Sequence, residues 1–194
     1  LMALWLVVPL TLRQAGMAAD DHWQIYLPVL LLSIVLIVPA IIYSEKKAKL
    51  KQVFVAAIAI LLLGQLLLAM NSESIWGTAL ALLVFFAAFN LLEASLPSLI
   101  SKIAPVGAKG TAIGIYSSTQ FLGAFAGAAA GGHLYGEYGS SALYAFCGVL
   151  LVVWLVLATT MKAPAAVRSR MYPVQEMDSD RSKELSRRLA AIPG

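Results

Sequence analysis

Residues 24–43 read QIYLPVLLLSIVLIVPAIIY, residues 44–52 read SEKKAKLKQ, and residues 53–70 read VFVAAIAILLLGQLLLAM. Neither long stretch carries a charge. Each approaches the roughly 20 apolar residues that a helix needs to cross about 30 Å of hydrocarbon. The connector between them holds Lys46, Lys47, Lys49 and Lys51. Two spans joined by a basic turn are therefore expected, the first kinked by Pro28 and Pro39 and the second interrupted only by Gln65.

Three further stretches repeat the pattern: Ile75–Leu99, Thr111–Tyr135 and Ala142–Met161. Composition agrees with this reading. Of 194 residues, 60% are hydrophobic and 12% are charged, against about 25% charged in average soluble domains. So little charge cannot cover a globule of this size, so most of the surface faces something other than water. An ordinary soluble enzyme, a disordered chain and a nucleic-acid-binding domain are all excluded. A single cysteine, Cys147, leaves no disulfide framework and no Cys-rich metal site. The fold class expected is an all-α polytopic membrane protein in a lipid bilayer.

Charge placement tests the topology independently, because Lys and Arg collect in cytoplasmic loops. Of the 14 basic residues, all but Arg13 fall in the connector 44–52, the connector 101–110 or the segment after Met161. These are alternate connections, as five spans require. The C-terminus is then cytoplasmic, and the loops 13–23, 71–74 and 136–141 lie outside. Leu1–Leu12 is too short to span and is expected to be the second half of a helix, which would make the chain a fragment.

Composition shifts after Met161, giving expected boundaries at 1–162 for the membrane unit, 163–170 for a linker and 171–194 for a polar tail. Met171–Met177 reads as a short edge strand limited by Pro173. Asp178 or Ser179 then caps a helix carrying Leu185, Leu189 and Ile192 at helical spacing. The tail is either a basic membrane-proximal segment or the truncated start of a small α+β domain.

Few polar side chains lie within the spans. Glu93 is the prominent one, since a carboxylate at a span's centre costs on the order of 2.5–3.5 kcal/mol by insertion scales. If the helix ends near Pro97, Glu93 lies roughly 6 Å from that end. It is either a proton-binding group or a structural lock that accepts hydrogen bonds or pairs with a lysine of a nearby loop. Asn90, three residues earlier, is expected on the same face. Tyr116, Gln120, Gly123, Gly127 and Gly131 form one face of the next span. Tyr116, Ser117, Thr119 and Gln120 are candidates to line a polar pathway, and the three glycines are candidates for close helix packing. No catalytic pattern appears: His22 and His133 belong to no H-E-x-x-H, and neither G-x-S-x-G nor a P-loop occurs. Neither an enzyme nor a cofactor or metal site is expected.

The span order, the four-lysine connector and residues 105–123 (PVGAKGTAIGIYSSTQFLG) together resemble the C-terminal half of a major facilitator superfamily transporter. Phe89–Ser101 (FNLLEASLPSLIS) and residues 160–164 (TMKAP) resemble its proton-driven drug-efflux branch, in the subgroup with a ferredoxin-like domain after the twelfth helix. The resemblance implies that Leu1–Leu12 ends helix 7 and that the five spans are helices 8 to 12. Helices 7, 8, 10 and 11 would line a cavity, and the tail would begin the ferredoxin-like domain. It also implies that Glu45, Lys46, Lys47, Ala48 and Lys49 stand where the family carries D-R-x-G-R, with alanine for glycine and lysines for both arginines.

The function implied is proton-coupled efflux of small amphipathic or drug-like compounds by alternating access across a bacterial inner membrane, with protons, a small-molecule substrate and a missing N-terminal six-helix half as partners. A sugar or metabolite carrier of the same fold is the alternative within transport. A membrane scaffold or receptor with a partner-binding tail is the alternative from another class.

Overall fold

The computed structural model describes residues 4–46, 49–70, 74–161, and 183, 184 and 188. Five α-helices follow one another: α1 (Leu4–Gln14), α2 (Trp23–Lys46), α3 (Leu50–Met70), α4 (Ile75–Ile103) and α5 (Lys109–Thr160). Among the described residues there is no strand, and α2 to α5 are long and apolar enough to cross a membrane.

Several helix ends have a local cause. Ser74 caps α4, its side chain accepting from the Gly77 N–H at 3.2 Å. Short 3-10 turns at Ala19–Asp21 and Val106–Ala108 lead into α2 and α5. The Lys49 N–H donates to the Ser44 carbonyl at 3.1 Å and closes the turn between α2 and α3.

Two expected boundaries differ. The helix expected to end near Leu99 continues through Pro97 to Ile103. Proline removes its own N–H and crowds the carbonyl of Glu93, which loses its usual helical partner, while the rest of the ladder continues. The expected external loop 136–141 is helical except at Gly139, whose φ of 77° and ψ of −173° break α5 in two. That region of backbone space is essentially restricted to glycine. One residue therefore does the work expected of six, and the limbs 109–138 and 140–160 are each long enough to span. Gly139→Ala is expected to cost about 1–3 kcal/mol. A loss of detergent-solubilised thermal stability would show this; unchanged stability would mean that the break survives without glycine.

The limbs run antiparallel. Limb 109–138 starts just after α4 ends. Limb 140–160 finishes beside the start of α3, where Lys51 Nζ donates to the Thr159 carbonyl at 2.8 Å. The last carbonyls of a helix lack internal partners and carry negative dipole charge, so a lysine is well placed there. Lys51, Lys102 and Lys109 thus share one end of the bundle. The two basic connectors, 44–52 and 101–110, therefore lie on one side of the bundle.

The core lies where α4 packs against α2 and α3, and α3 in turn against limb 140–160. Ile58, Leu61, Leu82 and Phe85 are buried in it, and Phe54 meets Trp154 edge-on at 6.0 Å between ring centroids. A close approach occurs at Gly64: a Cβ there would sit 2.8 Å from the backbone nitrogen of Phe85 and 2.9 Å from its Cα. Beyond Met161 the predicted linker and strand lie outside the described residues. Lys183, Glu184 and Arg188 are helical, with Arg188 Nε 2.9 Å from Glu184 Oε1.

Candidate functional site

Glu93 is the only Asp or Glu between Ile75 and Ile103, and the length of α4 fixes its depth. With the helix reaching Ile103, Glu93 lies about 15 Å from that end at 1.5 Å per residue. This corrects the expected 6 Å, which assumed a stop at Pro97. Ser101 and Lys102 at that end belong to the basic connector, so the carboxylate lies about 10 Å inside the apolar part of the helix, which ends near Ile100.

Its partner comes from α5. Gln120 Nε2 donates to Glu93 Oε1 at 3.0 Å and to Oε2 at 2.8 Å. Gln120 lies about 16 Å from the start of α5 at Lys109, so the two residues sit at matching depths on antiparallel segments. A bond to an ionised acceptor is roughly twice as strong as one between neutral groups. Glu93 is half-buried and Gln120 exposed, so the pair forms part of a wall rather than of the core.

Around this pair the predicted residues separate. Tyr116, one turn before Gln120, lies within electrostatic range of Glu93, and Ser117 is likewise half-buried on that limb. Thr119 turns its hydroxyl to the Ile115 carbonyl at 2.8 Å, within its own helix. Asn90 does not share the Glu93 site. Its Nδ2 donates to Ser33 Oγ of α2 at 2.9 Å, and Ser33 Oγ donates to the Leu30 carbonyl at 2.7 Å. Asn90 therefore ties α4 to α2, whereas Glu93 ties α4 to α5. A three-residue offset turns a helix about 60° from alignment, enough to address different neighbours.

The glycine face divides too. Gly131 is buried, but a Cβ on Gly123 or Gly127 would meet nothing within 4 Å. Phe121, Leu122 and Phe125 beside them are 68–74% exposed. Within this chain, the surface around Gly123 and Gly127 is open rather than packed.

In the predicted basic motif, Glu45 and Lys46 end α2, and Lys49 Nζ lies 6.0 Å from the centroid of Tyr43. Lys47 and Ala48 lie outside the described residues. Among the described residues no group of His, Cys, Asp or Glu is arranged to hold a metal ion.

Sequence reasoning missed the partners. Ser33 was one hydroxyl among several, and Gln120 was a pathway candidate with no reason to be matched to Glu93. Counting depth from the basic ends of both helices would have paired them.

A helical membrane bundle with a carboxylate inside a span on a cross-helix bond is a transporter-like arrangement, and comparison with known proteins identifies the family. The model of the Major Facilitator Superfamily matches residues 1–188, and the chain belongs to that superfamily. It is 41% identical over 169 residues to the inner membrane transport protein YajR of Escherichia coli strain K12, covering 87% of this chain and 37% of that protein. It is also 29% identical over 127 residues to the uncharacterized transporter BU466 of Buchnera aphidicola from Acyrthosiphon pisum, covering 66% of this chain and 33% of that one. The chain thus spans about a third of the length of these curated relatives. No solved structure matches it. This is a multi-pass membrane protein of a transporter family.

Proposed function

We propose that the chain is the C-terminal half of a proton-coupled exporter of small amphipathic compounds, working by alternating access in a bacterial inner membrane with its C-terminus in the cytoplasm. The observation that carries this reading is the Glu93–Gln120 pair between two apolar spans. A carboxylate there is expensive unless it is used, and its partner is an amide rather than a cation.

The difference is chemical. A lysine or arginine would hold the carboxylate ionised. An amide serves both protonation states, because its NH2 donates to the carboxylate and its carbonyl accepts from the carboxylic acid. Proton uptake at Glu93 would then need only a rotation of the Gln120 amide, with Tyr116 as a further hydroxyl in the same wall. The open face around Gly123, Gly127, Phe121 and Phe125 is the surface that a six-helix N-terminal half would cover, the glycines permitting close approach. On this reading Lys46, Lys47, Lys49 and Lys51 mark the cytoplasmic side. The segment after Met161 begins a cytosolic domain, which the family resemblance supports.

Reconstitution of the full-length protein tests the proposal. In proteoliposomes with an imposed pH gradient, a fluorescent cationic dye is expected to move against its own gradient, and a protonophore to abolish that movement. Transport that ignores the protonophore would overturn proton coupling. No movement of any amphipathic cation would overturn the substrate class.

A further inference from the structure

A cavity of about 800 Å³ lies between α1, α3 and limb 140–160, away from Glu93. Its size falls within the range of about 300–1,000 Å³ typical of small-molecule sites. Polar groups gather towards the end opposite Lys51 and Lys109: Gln14, Thr11, Tyr135, Ser140 and Ser141 line it there. Deeper along the same helices the wall is apolar, with Leu62, Val149, Val152 and Val153. Among its lining residues there is no Asp, Glu, Lys, Arg or His.

Gln65 stands at the junction of the two zones. It is 1% exposed, and its Nε2 donates to the Tyr144 carbonyl at 2.8 Å, which fixes the amide. Its Oε1 is buried and has no hydrogen-bond partner. Buried acceptors are nearly always satisfied, and one left open is costly. The group that completes it must be a donor. It must also be uncharged, because nothing in the lining would compensate a buried charge.

The cavity is open on one side: Leu66, Val149 and Val153 line it and remain at least half exposed. In a membrane-spanning bundle such an all-apolar rim faces hydrocarbon. We infer that this cavity takes an uncharged amphiphile from the adjoining bilayer leaflet, its alkyl chain along the valine wall and a hydroxyl of its head donating to Gln65 Oε1. A monoacylglycerol has this chemistry. The site is separate from the Glu93 pair and does not depend on proton coupling.

The test uses the full-length protein in lipid nanodiscs with a monoacylglycerol carrying a diazirine in its acyl chain. After photolysis, mass spectrometry locates the cross-links. They are expected to concentrate on residues 62–69 and 145–153 and to fall at least fivefold in Ala145→Phe or Ala69→Phe. Both variants fill the cavity from exposed positions. Gln65→Leu, which removes the acceptor, is expected to lower labelling similarly. In the wild type, unlabelled monoacylglycerol should compete and a fatty-acid anion of equal chain length should not. Labelling spread evenly over all apolar faces, or insensitive to both filling variants, would mean ordinary lipid contact and overturn the site. Equal competition by the anion would overturn the uncharged head.

Discussion

Glu93→Gln is expected to abolish gradient-driven dye movement in proteoliposomes of the full-length protein while leaving dye binding and thermal stability close to wild type. The substitution keeps the shape and hydrogen-bonding reach of the side chain and removes only its ability to take up and release a proton. A glutamine at 93 can still accept from Gln120 Nε2, so the link between α4 and α5 survives as a bond between neutral groups. What it forfeits is charge assistance, worth about 1 kcal/mol as the difference between charged and neutral hydrogen bonds. Coupling, by contrast, should fall by a factor of ten or more.

Glu93→Ala separates the alternatives further. It removes the bond to Gln120 and leaves space in the wall, so both stability and coupling should drop. If Glu93→Gln pumps normally while its melting temperature falls, Glu93 is a lock between helices. The proton site then belongs elsewhere in the full-length protein. If Glu93→Gln is stable and uncoupled, the carboxylate is the proton carrier on this half. Gln120→Leu adds a check: without an amide to stabilise either protonation state, the pH at which transport is half-maximal should move, which a purely structural role would not cause.

The outline of the fold was legible because the physical constraint behind it is severe. A bilayer demands long uncharged runs and confines charge to the connections, so the spans can be counted from the uncharged runs and the basic side from the connectors 44–52 and 101–110. The break at Gly139 was harder to place. The expected loop 136–141 holds two glycines, Gly136 and Gly139, with equal claim. Only the backbone shows which one adopts the positive φ.

The site was half legible. A lone carboxylate in an apolar helix stands out, but its depth depends on whether Pro97 ends α4. Proline is a local signal for a boundary, and here the surrounding packing carries the helix past it. The partners of Asn90 and Glu93 depend on which neighbour each side chain reaches, and helical periodicity reports faces rather than contacts. Gln65 was visible as the one strongly polar residue of its span. That it would bond a backbone carbonyl 79 residues away could not be read from spacing.

Gly64 gave no signal at all, and its substitution should have the largest effect on stability. A methyl group there would lie 2.8 Å from the Phe85 nitrogen and 2.9 Å from its Cα. Those are backbone atoms of a helix and cannot rotate aside, so α3 and α4 must separate. Replacing a helical glycine by alanine ordinarily gains about 0.5–1 kcal/mol. Overpacking typically costs about 1–3 kcal/mol, and more where backbone is the obstacle. The balance for Gly64→Ala is therefore destabilising.

Gly64→Leu drives four carbons into the same contact and is expected to prevent recovery of monodisperse protein. The damage spreads, because Gln65 is the next residue and its bond to Tyr144 holds limb 140–160 against α3. Two controls isolate the cause. Gly148→Ala places its Cβ 3.6 Å from Gln65 Nε2, an ordinary contact, and Gly123→Ala meets nothing within 4 Å. Both gain helix propensity without a clash and should be neutral or slightly stabilising in a detergent melting assay. Gly64→Ala melting at the wild-type temperature would show that the two helices can yield, and that close approach at Gly64 is incidental to the bundle rather than what sets its spacing.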